Sequence, residues 1–462
     1  MVCKIAHSIH DNGGRALLVG GVPRDIVFDI IKQRVNAFDE GNIKDLDIEV
    51  HGLSLEQTEQ LLSRHGIVST IGKSFGVLRL YGLPIDWSLP RIDDVGRKPQ
   101  VHIDSGMALR DAFMRRDLTM NAMGIDLITY EFIDVFGGMQ DMRDGILRVP
   151  DERLFVQDPL RFYRVMHFVG RFEMKPDAVL KRLCEVMDIS MVAIERIEQE
   201  FEKLLFRSRR PSLGIRWLRE CARLNDVIPE IAVLIGVPQS PRWHPEGDVF
   251  EHSMQALDAS ARFVYRSSQE QLVCMYASFC HDVGKALTTR YIDGAYKSIG
   301  HDRVGARLIP RLLSRITVKK SIIMAVKALV KYHMIPTQLV NSNAKPGSYK
   351  RLALKMTSQA TLRMLALVCL ADKQGRNGAG HEPLCDTSDE ITCFMERAEQ
   401  AQVSCTVEKP ILYGRDIIDI VSPGPVMGAL LRYAYEVQVD EGITDREILK
   451  NRVRAQLKEW HE

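Results

Sequence analysis

No two cysteines of this chain stand at Cys-x-x-Cys spacing, and the nine present are scattered and odd in number. A disulfide framework and a cysteine zinc site are therefore not expected, and a reducing, cytoplasmic setting fits. Long apolar runs are missing too. Met1 to Gly14 has no apolar stretch ahead of its polar residues, and runs such as Val227 to Val237 are too short or carry a charge, so neither a secretory leader nor a membrane span is expected. Charge of one sign is equally scarce: 62 basic against 60 acidic residues leave a formal net charge of +2. That balance excludes a generally basic nucleic-acid coat but leaves room for a local basic groove. Internal repeats and low-complexity tracts are absent. What remains is 462 residues with 45% hydrophobic content, ample for packed cores and long enough for two to four domains.

Against that background one stretch stands out. In Lys44-Asp45-Leu46-Asp47-Ile48-Glu49-Val50, apolar and acidic side chains alternate strictly, the period of a strand with one buried face. Leu46, Ile48 and Val50 point to a core, which gathers Asp45, Asp47 and Glu49 on the other side. Carboxylates so close repel, and hard oxygen ligands at this spacing suit Mg²⁺. The structural alternative is the solvated face of an edge strand.

Ahead of this stretch, Ile5 to Ile9 predicts a short helix and Arg15 to Val19 a buried strand ending at Gly20-Gly21. Val22-Pro23-Arg24-Asp25 then opens a helix through Ile31. Paired glycines between strand and helix turn tightly and aim N–H groups at a phosphate, and Pro23 suits a first helical turn. Asp25 also reads as a first-turn dipole partner and Arg24 as a surface charge. After a helix from Leu55 to His65, Phe75 to Tyr81 and Pro84 to Ser88 predict a hairpin whose second arm carries Asp86. That residue is either a third metal-binding carboxylate or a turn residue following Pro84. In Arg115-Arg116-Asp117-Leu-Thr-Met-Asn121, two arginines suit a triphosphate and Asp117 suits holding an arginine in place, with helix capping and a surface ion pair as the alternative.

Taken in order, Gly20-Gly21-Val-Pro-Arg24-Asp25, Asp45-Leu-Asp47, Arg115-Arg116-Asp117-Leu-Thr-Met-Asn121-Ala-Met and Asp158-Pro-Leu-Arg161 resemble the signature motifs of the class II tRNA nucleotidyltransferase and bacterial poly(A) polymerase family, part of the polymerase β superfamily. The resemblance spans roughly the first half of the chain. It implies an α/β polymerase-β-like head in which Asp45 and Asp47 are catalytic and hold Mg²⁺, and Asp86 on the neighbouring strand is the third catalytic candidate. Gly20, Gly21, Arg24, Asp25, Arg115, Arg116, Asp117, Asn121 and Arg164 are implied to bind nucleotide, and Asp158 and Arg161 to act as an amino-acid template. Base edges supply the logic: cytosine and adenine both offer an amine donor beside a ring-nitrogen acceptor, which an Asp acceptor and an Arg donor match. Guanine and uracil present the reverse order and leave charged groups unpaired. Asp158-Pro159 also suits an N-cap followed by a first helical residue. Three features depart from the family pattern. Gln157 replaces the usual Glu, Pro23 replaces Val, and Asp93 to Gly106 is shorter than the loop associated with switching from C to A addition.

From Phe162 onward helical periodicity continues through Phe172, Ala178 to Met187, Ile194 to Leu205 and Gly214 to Arg223, resembling the family's neck. Trp243-His244-Pro245-Glu246 then opens a different region containing His252, His281-Asp282-Val-Gly284-Lys285, His301, His333 and Asp372. The order His252, His281-Asp282, Asp372 resembles the HD phosphohydrolase superfamily, whose ligands converge on a divalent metal and activate water for attack on phosphorus. His301 and His333 either extend that site or are plain helix residues, and Lys285 either faces the phosphoryl oxygens or is a surface lysine. Expected regions are a nucleotidyltransferase head (1–150), a neck with base selection (151–235), an HD domain (236–380) and C-terminal helices (381–462), all but the head mainly α-helical. The implied activity is addition of CCA to a tRNA 3′ end from CTP and ATP, with phosphatase and 2′,3′-cyclic phosphodiesterase activity in the HD domain, by a monomer or homodimer without membrane attachment. A CC-adding enzyme, a poly(A) polymerase and an RNA-binding protein with a silent head are the rivals.

Overall fold

The computed structural model describes residues 1–33, 46–71, 76–93, 101–356 and 359–461. Asp45, and residues 94–100 of the segment expected to be a short loop, lie outside them. The chain forms two compact units, Met1–Val192 and Ala193–Glu462.

The first unit opens with α1 (Val2–Asp11), β1 (Arg15–Val19), α2 (Gly21–Ile31), β2 (Leu46–His51) and α3 (Leu55–Ser63). Strands β3 (Val68–Ile71), β4 (Val77–Leu80) and β5 (Ile85–Ser88) follow, then a ribbon of β6 (Arg91–Asp93) and β7 (Val101–Ile103). After α4 (Leu109–Met114) come β8 (Gly124–Asp126), β9 (Phe132–Ile133), α5 (Gly138–Asp144), β10 (Ile146–Leu147), α6 (Glu152–Phe155), α7 (Leu160–Phe172), β11 (Lys175–Pro176) and α8 (Ala178–Val186).

Seven strands form one mixed sheet in the order β3-β4-β5-β2-β1-β8-β9, so the acidic strand sits at its centre and not at an edge. One face follows the apolar half of the alternation. Ile48 and Val50, with Ala16, Leu78, Leu80, Ile85 and Trp87, pack under Ile5 and Ile9 of α1 and Leu61 and Leu62 of α3. On the opposite face Leu17 and Val19 pack against Phe113, Ala122 and Ile133. In the adjacent strand that face changes character. β1 pairs antiparallel with β2, setting Val19 against Asp47 and Leu17 against Glu49. β2 pairs parallel with β5, setting Asp47 against Asp86. Paired residues in neighbouring strands project to the same side, so the register itself brings the acids together.

The second unit is helical. It contains α9 (Ile194–Arg207), α10 (Ser212–Glu220), the short α11 (Leu224–Val227) and α12 (Pro229–Ala232), α13 (Val249–Ser260), α14 (Ser268–Cys280) and α15 (Lys285–Thr288). A hairpin of β12 (Thr289–Ile292) and β13 (Ala295–Ser298) leads into α16 (His301–Leu313), α17 (Lys320–Tyr332), α18 (Ile335–Asn341), α19 (Pro346–Lys355), α20 (Leu362–Gln374) and α21 (Asp389–Gln400). Asp248, Ser267 and Thr361 cap α13, α14 and α20 with side-chain acceptors, satisfying first-turn N–H groups. α14 packs on α13, α17 and α20, which brings the ends of these helices together. At the C-terminal end Leu430 of α22 (Pro425–Glu441) and Leu449 and Val453 of α23 (Arg446–His461) share a small core with Leu412 and Ile417. Among the described residues no helix is long and apolar enough to cross a membrane.

Candidate active sites

The first site begins at the end of β1. Gly20 has φ +76°, a backbone that favours glycine. A Cβ placed there would lie 3.0 Å from Asp47 Oδ2 and 3.6 Å from Arg116 Nη1. Turn, acid and arginine therefore share one small space. Asp47 is exposed, as a group meant for a ligand must be. Its neighbour Asp86 accepts from Arg79 Nε at 2.6 Å. The expectation of an open acidic face is corrected at Glu49, which is buried. Glu49 accepts from Arg116 Nη2 at 3.1 Å and lies 3.0 Å from His51 Nε2. Burial alone would raise its pKa, but His51 and Arg116 overcome that and hold it below the ordinary value. Glu49 thus fixes Arg116 instead of adding an exposed ligand.

Behind the turn runs a connected network. Arg24 is buried, not a surface charge. It donates through Nε to Asp25 Oδ1 and through Nη1 to Asn121 Oδ1, each at 2.8 Å. Its guanidinium lies 5.5 and 5.1 Å from the ring centroids of Phe168 and Phe172. Burial draws its pKa down to about 10, with Asp25 opposing, so it remains cationic at neutral pH. Asn121 Nδ2 donates to Asp117 Oδ1 at 2.8 Å and Arg164 Nε to Asp117 Oδ2 at 2.5 Å. Arg171 binds Asp25 Oδ2 at 3.0 Å, a partner that its place at the far end of α7 gave no sequence signal for.

At the start of α7, Asp158 and Arg161, the pair expected to select the base, are held differently. Arg161 donates to two carbonyl oxygens, Leu154 O at 2.8 Å and Arg115 O at 2.6 Å, which ties its guanidinium to the Arg-Arg-Asp motif. Asp158 Oδ1 accepts from Leu160 N at 3.1 Å, but the helix N-cap is Pro159. The capping alternative is therefore realised as a local turn bond by one oxygen, not as the N-cap itself.

The second site lies in the helical unit and is buried. His252 Nε2 is 3.1 Å from His281 Nε2, 3.0 Å from Asp372 Oδ1 and 3.6 Å from Asp282 Oδ2. His301 and His333 belong to the same centre and are not plain helix residues. Their Nε2 atoms are 3.1 Å apart, and His301 Nε2 is 3.3 Å from Asp282 Oδ1. Lys285 is nearly buried, not a surface lysine, with Nζ 2.7 Å from both Asp282 Oδ2 and Gln239 Oε1. Glu246 Oε1 joins His252 Nδ1 at 2.7 Å and His244 Nδ1 at 2.9 Å. Arg376 clamps Asp372 through Nη2 at 2.7 and 2.8 Å. Burial would lower the His252 pKa, but Asp372 and Glu246 raise it to about 9, so this carboxylate-rich place calls for a cation. Burial and its histidine neighbours push His333 down to about 4. Asp282, Lys285, His301, His333, Asp372 and Arg376 line a cavity of about 430 Å³. Gln239, Arg376 and Arg171 had no motif to announce them; each is found by what it holds.

Comparison with known proteins settles the family. The multifunctional CCA protein of Methylococcus capsulatus is 30% identical over 347 residues, covering 72% of this chain and 75% of that protein. The chain belongs to the multifunctional CCA protein family. Another multifunctional CCA protein, from Neisseria meningitidis, is 29% identical over 400 residues, 83% of this chain and 88% of its own. The poly A polymerase head domain matches residues 16–148 and the HD domain residues 249–373. Each interval holds the centre of one of the two sites, although Asp158, Arg161, Arg164 and Arg171 fall beyond the first and Gln239, His244, Glu246 and Arg376 lie outside the second. The fold is that of CCA-adding enzymes. A Thermotoga maritima CCA-adding enzyme complexed with tRNA aligns over 98% of this chain and 94% of its own, with a TM-score of 0.58 and 19% identity. A Bacillus stearothermophilus CCA-adding enzyme in complex with CTP aligns over 99% and 98%, with a TM-score of 0.62 and 18% identity.

Proposed function

We propose that this protein adds C, C and A to tRNA 3′ ends from CTP and ATP without a nucleic-acid template, in the cytoplasm. We further propose that its HD centre hydrolyses phosphoesters, 2′,3′-cyclic phosphates among them. The observation that carries the first part is the in-register pairing of Asp47 with Asp86 beside the Gly20 turn and Arg116. Asp47 and Asp86, with Asp45, would hold Mg²⁺, which when bound acidifies the tRNA 3′-hydroxyl and offsets charge on the departing pyrophosphate. Neighbouring carboxylates of hard oxygen suit that ion. Gly20 and Gly21 give the triphosphate close approach to the backbone, and Arg116, steadied by Glu49, meets its charge. Arg24, Asp25, Asn121, Asp117 and Arg164 form the hydrogen-bonded frame that keeps this face in place, with Arg115 beside it. Asp158 and Arg161 select cytosine or adenine, Arg161 already anchored by two carbonyls and so spared reorganisation on binding.

For the second site, His252, His281, Asp282 and Asp372 would hold a divalent metal, which when bound lowers the pKa of water for attack on phosphorus. The donor set fits, since imidazole nitrogens and carboxylate oxygens converge within 4 Å. We place the head at 1–150, base selection and neck at 151–235, the HD domain at 236–380 and the C-terminal helices at 381–462.

Extension of tRNA transcripts ending before CCA, after C and after CC, with each nucleotide supplied singly and in pairs, tests the reading at single-nucleotide resolution. Completion to CCA with CTP and ATP is expected. A stop after CC, long A tails without use of CTP, or no incorporation by folded tRNA-binding protein would each replace it with one of the rivals.

A further inference from the structure

We infer that Trp243 and Tyr296 form a base-stacking platform in the HD cavity, so that this centre prefers phosphoesters carried by a nucleoside, purine before pyrimidine; the assignment deepens, and rests on, the hydrolytic reading of that centre. The cavity has two unlike linings. One is the set of histidines, carboxylates and cations already described. The other includes Trp243, Tyr296 and Ile299, which are 59%, 42% and 75% exposed. Apolar groups of this size gain by leaving water, and three of them left exposed around one cavity mark a place that a ligand covers.

The pairing of linings describes the ligand. A cavity of about 430 Å³ has the size of a small-molecule site, and this one suits a molecule that is ionic at one end and flat and apolar at the other. A nucleoside phosphate is such a molecule. Every base has a π-face and stacks on an aromatic ring without being read at its edges, and a purine offers more overlap than a pyrimidine.

Both rings are fixed to the centre they would serve. Trp243 directly precedes His244, whose Nδ1 lies 2.9 Å from Glu246 Oε1, and the same oxygen lies 2.7 Å from His252 Nδ1. The backbone N–H groups of Trp243 and His244 both donate to Ser240 O, at 3.0 and 2.9 Å. The Arg242 guanidinium lies 5.1 Å from the Trp243 ring centroid, a cation–π contact that steadies the indole. Tyr296 stands on β13 opposite Tyr291 of β12, and the two rings meet edge to face with centroids 5.1 Å apart. Two residues further along the strand, Ser298 O lies 2.7 Å from His301 Nδ1. Rings held in this way lose little freedom when a base arrives.

The test measures kcat and KM of the full-length protein for hydrolysis of adenosine 2′,3′-cyclic phosphate, cytidine 2′,3′-cyclic phosphate and the base-free 1,2-cyclic phosphate of glycerol. KM is expected to rise in that order. Trp243→Ala, and separately Tyr296→Ala, should cut the advantage of the nucleoside substrates over the base-free one by about tenfold. The loss should fall on KM and not on kcat, as it does for binding shared by ground and transition states, and Trp243→Phe should recover most of it. In a second readout, adenosine 2′-monophosphate should quench tryptophan emission in the wild type and not in Trp243→Phe. A KM equal for all three substrates, or raised alike for all three by Trp243→Ala, would overturn the platform. Hydrolysis of none of them with the quenching present would remove the hydrolytic reading and keep the platform, whereas loss of both would remove both.

Discussion

Asp117 shows how much a single buried charge carries in the head. Burial raises a carboxyl pKa, yet Arg164 and Asn121 more than compensate and hold this one at about 2. A folded-state pKa below the unfolded value of about 3.9 stabilises the protein by about 2 to 3 kcal/mol above pH 4, lost as pH falls from about 4 to 2. Asp117→Asn strands Arg164 and is expected to cost about 3 kcal/mol at pH 7, with the deficit shrinking near pH 3, read from urea unfolding of the head. Asp258 in the helical unit has the opposite sign. It accepts from Ser212 N and Ser212 Oγ at 2.9 and 2.6 Å, yet burial lifts its pKa to about 6. The folded protein then binds the extra proton between about pH 4 and 6, so stability falls as pH rises through that window, by about 3 kcal/mol. In Asp258→Asn this part of the pH dependence should vanish, seen as the difference between wild-type and variant unfolding midpoints at pH 4, 5, 6 and 7. Neither residue's energetics was legible in the sequence. Asp117 was visible as part of a motif, but the pKa of each depends on partners 46 to 47 residues away.

At the scale of elements, local pattern announced local structure. The alternation around Ile48 gave a strand with the right inward residues, and Arg15 to Val19 coincides with β1. Strand neighbours were not legible: the parallel pairing of β2 with β5 spans the intervening α3, β3 and β4, and nothing in either segment specifies it. The same holds in the helical unit, where His333 joins a centre formed by α13, α14 and α20 from the end of α17, which packs on α14, and His301 does so only because α16 comes very close. Gly284 makes that approach possible, since a Cβ there would lie 2.1 Å from His301 O and 2.6 Å from Gly305 N. Gly284→Ala is expected to force α16 outward, cost about 3 kcal/mol and weaken metal retention, measured by thermal unfolding and by elemental analysis after dialysis. Gly20→Ala tests the other close approach. The added methyl meets Asp47 in a backbone that disfavours it, so nucleotide incorporation should fall by about tenfold or more with the fold kept, the loss of somewhat over 1 kcal/mol in transition-state stabilisation.

At the scale of the molecule, the two centres occupy different compact units and share no residue. Substitutions in one should therefore leave the chemistry of the other intact. Motif order made this plan legible, because each centre is anchored by short segments whose residue types carry its chemistry; the supporting residues Glu49, Arg171, Gln239 and Arg376 were not, since each acts through a partner distant in sequence. The most direct test measures incorporation of labelled CMP and AMP into tRNA lacking CCA by the wild type and by Asp47→Asn, with phosphoester hydrolysis assayed on the same preparations. The wild type should complete CCA, while the variant should lose incorporation by about a hundredfold or more and hydrolyse phosphoesters at the wild-type rate. Undiminished incorporation by Asp47→Asn, or none by a wild-type protein that still hydrolyses, would contradict the assignment of the acidic strand as the polymerising centre.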